Sequence, residues 1–314
     1  MRFCLLLLLA TALASGQMRD VHYQGSLTPL NIVPTFDHGY MVVYDHDPDL
    51  DVYAPDGSAM YKTSAQAPDG SHARIGNAAA DSDGTVAAAV EYARSCEVPG
   101  LGVIRWRAGG IALWDRSGAQ VRFIDTGCEY WTTQVAFGPD HSVWAIGWLG
   151  STKVSLYADY LTLRHFAQTG EPLGASLPRA AFPHPDDPHR EPLILPRIGL
   201  WDLQVAGDRV QIILDRVNLW VETDLNGKET ARWSTGPNFA RPGAFTADGL
   251  AWRQAGKKIM VFNRSSGAWS QPILEIQEGQ LIGADGNYLV FLMPDRAVRR
   301  VPEPAVAFAM ATTK

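Results

Sequence analysis

The sequence predicts an all-β chain folded as a single β-propeller, most simply a ring of six blades with four antiparallel strands each. Three observations carry that expectation. First, one hairpin phrase recurs, in which an apolar run ends in Asp or Asn, a short polar loop closes on Gly, and an alternating run leaves. It reads I-A-L-W-D-R-S-G-A-Q-V-R-F from Ile111, V-Y-A-P-D-G-S-A-M from Val52, L-W-V-E-T-D-L-N-G-K-E-T-A-R-W from Leu219 and I-M-V-F-N-R-S-S-G-A-W from Ile259, with a looser copy, H-F-A-Q-T-G-E-P-L, from His165. Second, a more apolar hairpin precedes each copy and is rich in small residues, as strands near a crowded axis should be. Third, the turn markers of that second kind, Gly39, Gly84, Asp140, Asp208, Gly249 and Gly286, lie 37 to 68 residues apart, the spacing of blades that carry loop insertions.

Taken in order, the chain begins M-R-F-C-L-L-L-L-L-A-T-A-L-A-S-G-Q. A positive charge at Arg2, an apolar run from Phe3 to Ala10 and small residues at Ala12, Ala14 and Gly16 read as a secretory signal peptide over 1–16, leaving a propeller domain over 17–314. The run is shorter than the roughly 20 residues a bilayer span needs. Cys4 leaves with this segment. The remaining two cysteines, Cys96 and Cys128, are expected to pair in an exported chain, two separate thiols being the alternative. Their bridge would close a loop of about thirty residues and contribute roughly 3 to 4 kcal/mol in the chain-entropy account.

The inner hairpins then follow: N-I-V-P-T-F-D-H-G-Y-M-V-V-Y from Asn31, N-A-A-A-D-S-D-G-T-V-A-A-A-V from Asn77 and Q-V-A-F-G-P-D-H-S-V-W-A-I from Gln134. W-D-L-Q-V-A-G-D-R-V-Q-I-I-L from Trp201, G-A-F-T-A-D-G-L-A-W from Gly243 and L-I-G-A-D-G-N-Y-L-V-F-L from Leu281 complete the six. After Leu292 the chain offers R-A-V-R-R-V and then A-V-A-F-A-M. Either these supply both outer strands of the sixth blade, or R-D-V-H-Y-Q-G near Arg19 closes the ring; a five- or seven-bladed count is the alternative while the ends stay open.

The outer phrase, apolar-x-apolar-aromatic-Asp-x-x-Gly in I-A-L-W-D-R-S-G and its relatives, resembles the repeat of NHL-type six-bladed propellers over nearly the whole mature chain. The resemblance implies the fold and binding through one face. It carries over no functional residue.

A four-stranded meander puts alternate connections on opposite faces. The long stretches Tyr92 to Gly110, Gly147 to Tyr160 and Gly174 to Arg197 are all expected as loops on one face, together with Cys96 and Cys128. Tyr130, Trp131, Trp148 and Arg94 adjoin that face and are the candidate binding residues, because aromatics and arginine are favoured at recognition sites. Packing between blades is the competing role for the aromatics.

Metal ligation has two places to sit. Asp45, Asp47, Asp49 and Asp51 alternate, but a Ca²⁺ loop of the EF-hand kind needs Gly sixth and Glu twelfth, where Leu50 and Asp56 stand. His184, Asp186, Asp187 and His189, in P-H-P-D-D-P-H-R-E-P, are of ligating type in a proline-stiffened loop. No resident cofactor is expected, and a divalent ion such as Ca²⁺ is the one addition these residues allow. No nucleophile, zinc-protease, redox or phosphate-loop motif is present. A hydrolase similar to the secreted six-bladed lactonases would build its site from single acids at strand ends, for which Glu91, Glu129, Asp202 and Asp215 qualify. Asn263-Arg264-Ser265 matches the N-glycan acceptor pattern.

A net charge of −6 and a pI near 5.7 exclude a phosphate-backbone partner. The expectation is an exported, periplasmic or extracellular monomer that recognises a protein, peptide or glycan through its loop-rich face. The alternative is a metal-dependent hydrolase at the central opening.

Overall fold

A computed structural model describes residues 29–44, 47–98, 102–128, 130–148, 159–178, 181–182, 201–214, 219–234 and 242–306. The predicted signal peptide lies outside them, as do Asp45, Glu129, Asp215 and the loop carrying His184 and His189. Six antiparallel sheets follow one another along the chain, and the first strand of each lines one central cavity, so the sheets form a ring of six blades.

The first blade comprises β1 (Pro29–Pro34), β2 (Tyr40–Tyr44), β3 (Asp49–Tyr53) and β4 (Ala59–Ser64). The second holds β5 (Arg74–Ala80), β6 (Val86–Val98), β7 (Gly102–Trp114) and β8 (Gln120–Gly127), and the third β9 (Trp131–Phe137), β10 (Val143–Trp148), β11 (Leu161–Phe166) and β12 (Pro172–Pro178). The fourth comprises β13 (Trp201–Ala206), β14 (Arg209–Leu214), β15 (Leu219–Asp224) and β16 (Glu229–Ser234). In the fifth, β17 (Ala244–Phe245), β18 (Ala251–Ala255) and β19 (Lys258–Asn263) meet an outer edge split into β20 (Ala268–Trp269) and β21 (Leu274–Glu275), each pairing with a different end of β19. The sixth shows β22 (Gln280–Asp285), β23 (Tyr288–Leu292) and β24 (Val298–Pro302) among the described residues.

The predicted turn markers sit where the sequence places them. Gly39, Gly84, Asp140, Asp208, Gly249 and Gly286 all fall between the first and second strands of a blade, and Gly57, Gly118, Gly170, Gly227 and Gly267 between the third and fourth. An Asp fixes the inner turns of four blades by accepting an amide two residues on, as Asp83 does from Thr85, Asp140 from Ser142 and Asp248 from Leu250. Such a side chain mimics a further backbone turn.

The continuous apolar runs belong to the second strands rather than to the axis. Met41 to Val43, Val86 to Val90, Val143 to Ile146 and Val210 to Ile213 are buried, because sheets cover both of their faces. The first strands alternate, with one side on the core and the other on the cavity. Between blades four and five Glu222 is almost fully buried and takes two hydrogen bonds from Arg264, the type of pairing a buried carboxylate requires.

Among the described residues β24 pairs only with β23. The Val298 amide donates to the Pro55 carbonyl of the first blade. The chain then turns away: the Glu303 amide donates to Asn287, and Val306 packs on the cluster around Trp252 and Leu281. Pro304 to Val306 therefore do not make a second outer strand, and Phe308 onward, like Arg19, lies outside the described residues.

Sheet twist brings each outer turn against the outer strand of the preceding blade. Gly118, at φ +80°, is the clearest case, since a Cβ there would lie 2.6 Å from the Tyr61 ring. Gly118→Ala should lose about 1–3 kcal/mol in urea unfolding from combined backbone strain and overpacking. Gly70→Ala, at φ +81° with nothing within 4 Å, should lose only the backbone part, and an equal loss at the two sites would refute the joint.

Candidate functional site

The central cavity encloses about 1080 Å³ and is bounded by all six first strands. Its two mouths differ. Inner turns surround one, where the ends of first strands bring Asp81 and Asp285 into the wall. At the other mouth, Arg74, Trp131, Asp202 and Gln280 stand at or next to the starts of β5, β9, β13 and β22, and Glu91 pairs across the ladder from Arg74. That second mouth belongs to the face of the second-to-third and blade-to-blade connections. Small residues, among them Gly76, Ala78, Gly243, Ala244 and Gly283, make much of the wall between.

An arm stands at this face. Tyr92 to Gly110, expected as a loop, is instead two strands that continue the β6–β7 ladder from Glu91↔Gly109 to Val98↔Gly102. The seven residues beyond Glu91 would reach roughly 20 Å at strand rise. Regular alternation in Y-A-R-S-C-E-V gave the only clue to this, and the glycines of the returning strand obscured it. The disulfide Cys96–Cys128, with Cα atoms 5.8 Å apart, ties the arm to the segment after β8. Lower down, the Tyr92 hydroxyl donates to Asp125 (2.6 Å), and Arg94 pairs with the other oxygen of the same carboxylate (2.5 Å). Burial and the Asp125 hydrogen bond push the Tyr92 phenol up to about 12, so it stays a donor at neutral pH.

The arm is pressed onto β9 at its base. A Cβ on Gly109 would fall 2.5 Å from the Tyr130 carbonyl and 2.8 Å from the Trp131 Cα, and one on Gly110 2.5 Å from the Phe123 ring. Gly109 thus lets β7 run against the start of β9 beside Trp131, and Gly110 makes room for the Phe123 ring of β8.

The candidate binding residues separate on this frame. Trp131 is half-buried and lines the cavity, and Arg94 is exposed in its ion pair on the arm. Tyr130 is fully buried, its hydroxyl 2.8 Å from the carbonyls of Ala145 and Thr162 and its ring under Arg164, so it is core and not surface. Trp148 pairs through its backbone with Trp131; its side chain lies outside the described residues. Glu91 and Asp202, the acids suggested for a hydrolase, do line the wall.

The alternating aspartates spend their oxygens separately. Asp47 accepts the Asp49 amide, Asp49 pairs with Lys62 (2.7 Å) and accepts from Ser64, and Asp51 accepts from Tyr44 (2.9 Å). Burial alone would raise Asp49, but Lys62 and Ser64 hold it below the usual carboxylate range.

Sequence reasoning missed a set of contacts on the other face, where inner turns of neighbouring blades meet. His141, at φ 64°, bonds Asp81 of the preceding blade (2.8 Å), and His38, at φ 70°, bonds Asp285 in the same way (2.9 Å), with Arg300 on that carboxylate also. The D-H in the two turns was the available signal: His takes the left-handed position that Gly84 and Gly249 hold elsewhere. Ligand atoms of Asp81, Asp83 and His141 lie within 4.8 Å of one another, the one such grouping among the described residues. Nearby, the buried Ser142 donates to Asp140 (2.5 Å) and meets His165 Nε2 (2.6 Å), whose ring stacks on Trp144. A hydrolytic relay would back the imidazole, not the serine, with the carboxylate, so this trio braces a turn.

No protein-family model matches the chain, and no curated protein matches it. Solved structures similar to it include a protein of unknown function from Bacteroides caccae, at 11% identity and a TM-score of 0.48, covering 81% of this chain and 82% of that one. The WD40 domain of Neurospora crassa Pan2 is similar at 9% identity and 0.49, over 85% and 73% of the two chains. Virginiamycin B lyase from Staphylococcus aureus is similar at 13% and 0.43, over 88% and 94%. At this distance no residue role passes to this chain.

Two outcomes test the geometry. Gly109→Ala should cost about 1–3 kcal/mol by overpacking and shift the emission of Trp131, measured against Trp131→Phe in both backgrounds. The Asp81 hydrogen bond holds the His141 imidazole above its ordinary value of 6.5. Being raised in the folded state, it contributes stability that is full below about pH 6.5 and lost as pH rises through the folded value. NMR titration should show the raised value in the wild type and its return towards ordinary in Asp81→Asn.

Proposed function

We propose that this chain is an exported binding protein that recognises a protein, peptide or glycan through the face carrying the arm and the wider-served mouth of the cavity. One observation carries the reading: a cross-linked β arm rises beside the mouth from Glu91, itself part of the cavity wall. A bridge that pins a projecting hairpin limits its freedom before contact, and preorganisation of that kind lowers the entropic cost of binding. Export is supported by the signal-like leader and by a paired Cys96–Cys128, since such bridges persist in oxidising compartments. The acidic balance of the chain sets nucleic acid aside. No described helix is long and apolar enough to cross a membrane.

The hydrolase alternative has Glu91 and Asp202 in the cavity wall and the Asp81, Asp83 and His141 grouping in its favour, but that grouping lies among the inner turns, opposite the arm.

The test is a comparison of the wild-type protein with a variant in which residues 93–107 are replaced by a two-residue turn and Cys128 by Ser. Both are immobilised and exposed to native cell-envelope and culture-supernatant extracts, and retained species are identified by mass spectrometry. A species held by the wild type and lost from the folded variant is the expected result. Identical retention by the two proteins, or a stoichiometric divalent ion needed for turnover of a lactone panel, would overturn the proposal.

A further inference from the structure

We propose that the arm-side mouth of the central cavity binds the end of a neutral glycan, with one pyranose face on the Trp131 indole and its hydroxyls on the amides of Gln134, Gln204 and Gln280. The inference rests on the recognition reading above and names the ligand chemistry of the same face.

The volume is suited to such a ligand, because about 1080 Å³ exceeds what one or two sugar rings need. The offered chemistry is suited too. Gln134 on β9, Gln204 on β13 and Gln280 at the start of β22 line the cavity from three blades, and an amide both donates and accepts, as a sugar hydroxyl does. Trp131 lines the same cavity, half-buried, on a backbone wedged between Gly109 and Gly147. A fixed aromatic face matches the C–H side of a pyranose and loses little rotamer freedom on contact.

Other ligand classes fit less well. Most charges in the wall are already spent inside the protein: Asp81 on His141, Asp285 on His38 and Arg300, with Glu91 and Asp202 engaged as well. Among the described residues Arg74 is the one cation of the wall, set among these acids, which disfavours phosphate or polyanions. The apolar part of the wall is glycine and alanine rather than large side chains, so it lacks the deep greasy surface that a lipid tail would require.

The experiment titrates the full chain with maltohexaose, cellohexaose, xylohexaose, laminarihexaose and chitohexaose, followed by calorimetry and tryptophan emission. At least one should bind, with a dissociation constant of roughly 10 μM to 1 mM. Trp131→Ala should weaken that binding by about tenfold or more at unchanged melting temperature. Gln204→Ala, exposed and outside the core, supplies the same readout should the tryptophan variant fail to fold. Glucosamine hexamer and inorganic phosphate serve as charged controls; no binding by any of the five neutral sugars, binding that survives both substitutions, or binding of the charged controls alone would overturn the proposal. If envelope species are still retained in an arm-dependent way while all five sugars fail, only the glycan assignment falls; if both fail, the recognition reading falls with it.

Discussion

The ring depends on one repeated joint, the seating of each outer turn against the outer strand of the blade before it. Gly118 rests on Tyr61, Gly170 on Ile124, Gly227 on Ser176 and Gly267 on Trp233, while Gly57 closes the circle on Arg296. All five glycines have φ between +67° and +92°, a conformation that keeps the turn tight and leaves no Cβ in the way. Hydrogen bonds then lock individual joints: Thr63 donates to the Gly118 carbonyl, and the Trp233 indole to that of Arg264. Sheet twist makes the geometry possible, since it swings the outer strand until its far end meets the neighbour's turn. Between the sixth and first blades the same contact is joined by a backbone hydrogen bond, where the Pro55 carbonyl takes the Val298 amide.

Charge is distributed so that joints between blades carry it. His38, His141 and Arg264 each reach a carboxylate of the preceding blade, at Asp285, Asp81 and Glu222. Burial raises Asp81, and the imidazole beside it pulls the other way. The arm-side mouth is lined by Trp131, Gln280, Arg74, Glu91 and Asp202. Gly109 links the two regions, because the arm and the tryptophan share one close backbone contact.

Legibility in the sequence followed the range of the force involved. The turn chemistry is local, and so D-R-S-G, P-D-G-S and A-D-G placed eleven turns correctly from their own residues. The pairing of Cys96 with Cys128 was readable because a meander fixes which connections share a face. The β6–β7 arm was not, since G-V-I-R-W-R-A-G-G reads as a loop until the partner strand is laid beside it. Tyr130 and Trp131 could not be told apart either. They are neighbours at the start of β9, and only the tertiary packing decides which of two adjacent side chains meets Ala145 and which meets the cavity.

By itself, then, the amino-acid sequence determined the all-β class, the hairpins and their order, because glycine, aspartate and period-two patterning act over four or five residues; six blades were its simplest count, which the sheets bear out. Only the tertiary structure decided what faces the axis and which histidines meet which acids. Those features join residues such as His38 and Asp285, 247 positions apart, through packing that no local pattern encodes.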